Sequence, residues 1–333
     1  MRASLVIPVR NGRETIRRCL ESVADIRDAP GSQLEEIIVV DDKSTDGTPE
    51  IVREFGVTLI EGDGTGPGGA RNIGWRTARS PLVWFVDADC VAAPDALENL
   101  LLILDDDEHV RVAGVGGSYD NALPESLLAT LIHEEIVARH ERMPARVDFL
   151  ATFNVLYRRS ALESAGGFDP RYRKAQDAEL AYRLIESGRE LRFTRASRVA
   201  HHHPTSLRAY LRTQSSQGYW RVFLHMRHPA PSSGDSYASR IDLCQPPLAA
   251  MSVPALLAIA LPHGWTIPAA IVAILLLMQA PMTFAILART RRAALLLFAP
   301  LGFVRAYARA LGMSVGGVHA LTRRGSFRGG ARA

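Results

Sequence analysis

Short apolar runs that break into acidic or glycine-rich turns set the rhythm of the first 90 residues. Leu5 to Val9, Glu35 to Val40, Val57 to Ile60 and Pro81 to Val86 are such runs. Rich in β-branched and aromatic residues, they read as buried strands. Between them, Glu14 to Ala24 places Ile16, Leu20 and Val23 on one helical face. Pro49 to Phe55 opens a second helix with proline in its first turn. Strands alternating with helices predict an α/β domain with a mainly parallel sheet.

Beyond Pro94 the pattern predicts helices at Asp95–Leu104 and Glu125–Arg142 and strands at Val110–Ser118 and Val147–Tyr157. A helix opening at Gln176 buries Leu180 and Leu184, and a short strand covers Arg198 to Ala200. After Arg240 the chain turns apolar. Pro247 to Leu261 carries no charge, and Ile267 to Ala288 is an uncharged run of 22 residues, long enough to span a bilayer. Pro262-His-Gly-Trp265 turns between them. Arg227 and Arg240 before the pair, and Arg289, Arg291 and Arg292 after it, place both ends on the cytosolic side. Ala293 to Leu311 carries Arg305 and Arg309 and reads as an interfacial helix, with a buried soluble hairpin the alternative for the whole apolar region.

The net charge of +4 conceals an asymmetry. Residues 289–333 contain nine Arg and no acid, which leaves 30 basic against 35 acidic residues in the first 288. A basic tail directly after membrane-like segments suits anionic headgroups better than nucleic acid. Cys19, Cys90 and Cys244 are too scattered for a disulfide framework or zinc cluster and fit a reducing compartment. The N-terminus lacks the apolar core of a signal peptide, so the body is expected in the cytosol.

The candidate chemistry lies where strands end. Asp87-Ala-Asp89 closes the Pro81 run, and in an extended segment both carboxylates address one side. They are either a hard-cation site that also holds a diphosphate, or a turn of two solvated acids. Asp41 and Asp42 end an earlier strand and are either ligand contacts or caps of the following segment. The loop Gly62 to Gly69 is neither a Walker loop nor a dinucleotide fingerprint, and Arg71 just after it is either a phosphate contact or a surface residue. Asp177, in the first turn of its helix, is a carboxylate base, or else it and Glu179 only complement the helix dipole. Of His201-His-His203, the first and third share a side, giving one of them a metal or phosphate role, or else the run is a loop. His133-Glu-Glu135 lacks the second histidine of a zinc motif at Val137, so His133 and His140 are expected on the helix surface.

In this order, Ser4 to Asn11, Val39 to Thr48, Gly69 to Gly74, Asp87-Ala-Asp89 and Gly166-Gly-Phe-Asp169 resemble glycosyltransferase family 2 over roughly residues 3–225. The resemblance implies an α/β GT-A nucleotide-diphospho-sugar transferase fold, a mixed, mainly parallel sheet flanked by helices, here with C-terminal membrane helices. It implies donor contacts at Pro8, Arg10, Asp41, Asp42, Arg71 and Asp87, a Mg²⁺ or Mn²⁺ ligand at Asp89, a further one at His201, and the base at Asp177. Gln176 and Glu179 depart from the family's Glu-Asp-x-Asp-Leu pattern, and Gln217-Gly-Tyr-Trp220 only partly echoes the signature of processive members.

The expected organisation is a transferase domain at 1–225, a linker at 226–242, a transmembrane hairpin at 243–290, and an interfacial helix with basic tail at 291–333. The expected activity is metal-dependent, inverting transfer of a single sugar to a lipid-linked or glycan acceptor at the inner membrane, with the catalytic domain cytoplasmic. The alternative suggested by Gln176 is a catalytically weak nucleotide-sugar-binding partner in a membrane assembly complex. A sugar-nucleotide-forming enzyme would need a Gly-rich, Arg- and Lys-containing N-terminal loop that the chain lacks.

Overall fold

The structure is a computed structural model that describes residues 1–105, 111–228 and 235–322. The last arginines of the basic tail, from Arg323 on, lie outside the described residues, as does the predicted strand start at Val110. The chain forms two compact units, one ending at His203 and the other beginning at Pro204.

The first unit opens with β1 (Ala3–Val9), α1 (Ile16–Asp28), β2 (Leu34–Asp41), α2 (Thr48–Arg53), β3 (Thr58–Glu61), α3 (Pro67–Thr77) and β4 (Leu82–Val86). It continues with β5 (Cys90–Ala92), α4 (Ala96–Asp105), β6 (Val112–Asn121), α5 (Leu127–His140) and β7 (Arg146–Val147). β8 (Asn154–Arg158), α6 (Arg159–Ala165), α7 (Gln176–Glu186) and β9 (Glu190–His201) complete it. The sheet order is β3-β2-β1-β4-β8-β6-β9-β5, with β7 paired to β9. β3, β2, β1 and β4 run parallel, while β8 is antiparallel to β4 and β6, and β9 is parallel to β6.

Side chains alternate across this sheet. Leu5, Ile7, Val39 and Trp84 pack on one face beneath α1 and α4, through Ile16, Leu20, Leu97 and Leu100. Val6, Val40, Val83 and Phe85 pack on the other against Ala70, Trp75, Phe168 and Leu180. Both faces being covered, the strands had to read as continuous apolar runs. Helix α3 lies close on β1 because residue 74 is glycine: a Cβ there would stand 2.3 Å from Val6 Cγ1.

Three sequence expectations are corrected. Val147 to Tyr157 is not one strand: β7 pairs with β9, whereas β8 pairs with β4 and β6, and a single straight strand cannot serve both. The short strand at Arg198 is the end of the twelve-residue β9, whose polar positions alternate with buried Leu191, Phe193 and Val199. His140 is not on the helix surface; it is buried, with Nδ1 2.9 Å from Ser118 Oγ, and the His133 ring lies 5.8 Å from that of His203.

The second unit contains α8 (Leu207–Arg227), α9 (Arg240–Ala255), α10 (Thr266–Leu277), α11 (Ala280–Thr290) and α12 (Phe298–Thr322). Three helical stretches, Arg240–Ala260, Thr266–Thr290 and Ala293–Thr322, are long and apolar enough to cross a membrane. The third is longer than the Ala293–Leu311 helix expected from the sequence and runs on to Thr322. Its arginines turn onto α8: Arg305 Nη1 donates to the Tyr210 hydroxyl at 3.4 Å, and Arg309 Nε to Gln214 Oε1 at 2.8 Å. Helix α8 lies within this compact unit, which begins at Pro204.

In the first unit Asn72 on α3 holds the Gly166–Asp169 turn. Its Nδ2 donates to Phe168 O at 2.7 Å, and its Oδ1 accepts from the Phe168 and Trp75 Nε1 N–H groups, both at 2.9 Å. Gly167 sits at φ +77°, and a Cβ there would meet Asn72 Oδ1 at 2.4 Å. Asn72→Ala strands buried donors and an acceptor, so urea unfolding should show a loss of about 3 kcal/mol; a change under about 0.5 kcal/mol would contradict this role.

Candidate active site

Register explains why the acids gather. β2, β1 and β4 run parallel, so Asp41, Val9 and Val86 end at one edge of the sheet. Asn154 at the start of antiparallel β8 pairs with Val86, and β9 ends there at His201, opposite Asn121 and Cys90. The loops leaving this edge carry Arg10, Asp42, Asp87 and Asp89.

The β1–α1 loop is tied to the loop after β2. Asn11 N–H donates to Ser44 Oγ at 2.7 Å, Gly12 N–H to Thr48 Oγ1 at 2.9 Å, and Arg13 N–H to Asp46 Oδ2 at 3.0 Å. The polar run Ser44 to Thr48 therefore serves mainly to join two loops. Pro8 is half-buried within β1 and Arg10 is exposed at its end.

Asp41 and Asp42 are both buried but differ in their bonds. Asp42 accepts from Gly64 N–H and Gly66 N–H, each at 2.9 Å, and so organises the glycine loop that enters α3. Asp41 Oδ2 accepts from Ser44 N–H at 3.1 Å, while its buried Oδ1 has no hydrogen-bond partner. A buried acceptor left open points to a ligand donor.

Arg71, on the first turns of α3, is buried rather than on the surface, at 3% side-chain exposure. Its Nη2 donates to Asp87 Oδ1, its guanidinium lies 5.8 Å from the Phe168 ring centre, and its buried Nε and Nη1 have no partner. Two open N–H groups on a fixed cation suit a phosphate oxygen.

The Asp87–Asp89 segment is a turn, closed by Cys90 N–H to Asp87 O at 3.0 Å, not an extended segment. Its acids accordingly take different partners. Asp87 faces Arg71, while Asp89 Oδ2 lies 3.5 Å from His201 Nε2. Among the described residues, Asp89, Cys90 and His201 form one cluster whose ligand atoms lie within 4.8 Å. A carboxylate with an imidazole suits a divalent first-row cation or Mg²⁺ completed by phosphate oxygens. Burial, then Asp89 and Asp87, push the Cys90 thiol well above its ordinary pKa. His203, buried, has its pKa lowered to about 2 by burial and remains neutral.

Asp177 lies in the first turn of α7, after Ala175 at φ +64°. Its Oδ1 accepts from Ala178 N–H at 2.9 Å. Burial raises its pKa, Arg71 opposes this, and Asp87 adds to it. Near it, the Tyr157 hydroxyl is buried without a partner and its pKa is raised, by burial first and Asp177 second. Gln176 is buried with Oε1 open. Glu179 is fully buried and ion-paired to Arg183 at 2.6 Å, whose Nη2 also donates to Gly167 O at 2.7 Å. It supports the turn and does not face the site as a free acid.

The sequence reading missed Asn72, Cys90 and Tyr157, and named His203 only as the alternative to His201. Adjacency to Asp89 and the two-residue step from His201 were the only signals for Cys90 and His203; pairing of distant strands supplied the rest.

Residues 4–166 match the family described as Glycosyl transferase family 2. The pre-mycofactocin glycosyltransferase of Mycobacterium tuberculosis is 30% identical over 238 residues, covering 68% of this chain and 48% of that protein. Glycosyltransferase AglE of Haloferax volcanii is 28% identical over 197 residues, 57% of this chain and 63% of AglE. The chain thus spans about half the length of the mycobacterial relative. The structure of the Pyrobaculum calidifontis mannosyltransferase, in complex with GDP-Man and Mn²⁺, superposes with a TM-score of 0.60 at 22% identity. That alignment covers 94% of this chain and 87% of the mannosyltransferase, a likeness of fold. Through the region 4–166 the chain belongs to glycosyltransferase family 2, and its fold is of the GT-A kind.

Proposed function

We propose that the first unit transfers a single sugar, with inversion at the anomeric carbon, from a nucleotide-diphosphate donor to a lipid-linked or glycan acceptor at a membrane. Asp177 carries this reading: a carboxylate of raised pKa in the first turn of α7, within the influence of Arg71 and Asp87. The acceptor hydroxyl gives its proton to Asp177 as its oxygen attacks the anomeric carbon. The bond from that carbon to the diphosphate breaks, and its electron pair leaves with the nucleoside diphosphate. Arg71 binds a diphosphate oxygen through its open N–H groups, and Asp41 Oδ1 accepts an N–H or O–H of the nucleoside. Asp42 shapes the loop beside them, with Pro8 and Arg10 on the neighbouring strand end.

Asp89 and His201 would hold a divalent cation, Mg²⁺ or Mn²⁺, which when bound supplies positive charge to the leaving diphosphate. The apolar helices of the second unit anchor the chain. Arg240 before the first and Arg289, Arg291 and Arg292 after the second favour the cytosolic side of the inner membrane for both ends of that pair. Gln176, in place of a carboxylate, favours a second reading, a nucleotide-sugar-binding partner with little turnover.

Asp177→Asn separates the two. Transfer should fall by about 10²–10⁴-fold with donor affinity unchanged in calorimetry; turnover equal to wild type would remove Asp177 as the base, and absence of turnover in both would favour the binding partner. A base must be ionised, so a raised pKa places the acid limb of kcat above the ordinary carboxylate value of about 4. The same shift means ionisation of Asp177 opposes folding as pH rises through that interval. Asp177→Asn should therefore not lower Tm at pH 7, and a marked fall in Tm would contradict the shift.

Arg71→Ala should weaken nucleoside diphosphate binding about tenfold or more while leaving binding of the bare nucleoside within about threefold. Equal losses for both ligands would show that Arg71 does not contact the diphosphate.

A further inference from the structure

His201 stands between two groups. Its Nε2 faces Asp89 Oδ2 at 3.5 Å, and its Nδ1 lies 3.2 Å from His203 Nδ1. Two imidazole nitrogens bond at such a distance only when one bears a proton and the other a lone pair. A cation held by Asp89 and His201 takes the lone pair of Nε2, which puts the proton of the neutral ring on Nδ1. His203 Nδ1 is then the acceptor, and the His203 proton sits on Nε2.

The surroundings hold both rings in place, and His203 Nε2 is buried without a hydrogen-bond partner. His203 is 3% exposed, and its backbone N–H donates to His201 O at 3.1 Å. His202 N–H donates to Asp89 O at 3.0 Å, so one short turn carries both histidines and grips the acidic loop. The Tyr119 ring, stacked on Phe153 at 3.5 Å, lies 5.1 Å from the His201 ring and 5.7 Å from that of His203. His203 is not in the ligand cluster, which among the described residues consists of Asp89, Cys90 and His201.

We propose that His203 is a positioning residue for the cation site: its Nδ1 accepts from His201 Nδ1–H and holds His201 with Nε2 turned toward Asp89. The proposal rests on the reading of Asp89 and His201 as cation ligands. Removing such an outer hydrogen bond weakens metal affinity by about 10–100-fold in metal sites generally. Asparagine offers a discriminating control, because its Oδ1 occupies the place of His203 Nδ1 and is an acceptor only.

The test is Mn²⁺ titration of the full chain in detergent, followed by the electron paramagnetic resonance signal of free Mn²⁺. Wild type is compared with Asp89→Ala, His203→Leu and His203→Asn, with thermal melts confirming that each is folded. His203→Leu should bind Mn²⁺ about tenfold or more weakly, and His203→Asn within about threefold of wild type. His203→Leu binding as tightly as wild type, or folded His203→Asn as weak as His203→Leu, overturns the positioning role alone. Wild type binding no better than Asp89→Ala overturns the cation reading and this inference with it. Should His203→Leu not fold, ¹⁵N-histidine spectra of wild type with Mg²⁺ decide: a lone pair on His203 Nδ1, with the ring proton on Nε2, supports the proposal, and a proton on His203 Nδ1 overturns it.

Discussion

A buried guanidinium organises the first unit. Arg71 is almost wholly removed from water, yet only its Nη2 is matched, by Asp87, and its other nitrogens are open. A buried cation is tolerated only when charge and hydrogen bonds compensate it. Here one carboxylate does so in part, and two buried nitrogens stay open. Every neighbouring feature bears on where that guanidinium stands. Gly74 lets α3 close on Val6, Asn72 ties α3 to the turn before α7, and Asp42 holds the amides of Gly64 and Gly66 that lead into the helix. Asp87 comes from the end of β4, and Asp177 from the first turn of α7 feels both Arg71 and Asp87.

Much of this was legible in the sequence because it depends on local pattern. The apolar runs that became β1, β2 and β4 are almost wholly buried and could scarcely read otherwise, whereas edge strand β3 is only partly covered, and the acids after β2 and β4 gather at one sheet edge. Side-chain commitments were not legible. Asp41 and Asp42 are adjacent and chemically alike, yet one is spent on loop amides and the other keeps an open oxygen. Asp87 and Asp89 separate because a turn, not an extended segment, carries them. The proximity of His201 to Asp89 follows from antiparallel pairing of β5 with β9, residues more than 100 positions apart in the chain. His140 looked like a surface residue because polar and apolar positions of α5 do not segregate onto separate faces, and Glu135, Arg139 and His140 are buried with the apolar ones.

The second unit shows the same limit. Arg305 and Arg309 made its last helix read as interfacial, and both turn onto polar groups of α8, a pairing that the sequence does not show. Close approach of the two helices depends on small residues: a Cβ at Gly312 would stand 1.8 Å from Ser215 O, and one at Gly218 2.2 Å from Arg309 O. Small residues at a helix contact with polar cross-links are characteristic of packing in lipid. The exposed apolar side chains elsewhere on these helices, among them Leu257, Leu277 and Phe284, fit the same environment.

The central claim is direct displacement of the diphosphate by an acceptor oxygen activated at one carboxylate. Anomeric configuration tests it most directly, because a single displacement inverts the reacting carbon. The full chain would be given a panel of α-linked nucleotide sugars with a membrane-lipid acceptor fraction, and the linkage formed read from the anomeric ¹H coupling of the isolated product. A β-linked product from an α-linked donor is the predicted result. An α-linked product would mean retention, and would contradict the assignment of Asp177 as the base of a single displacement.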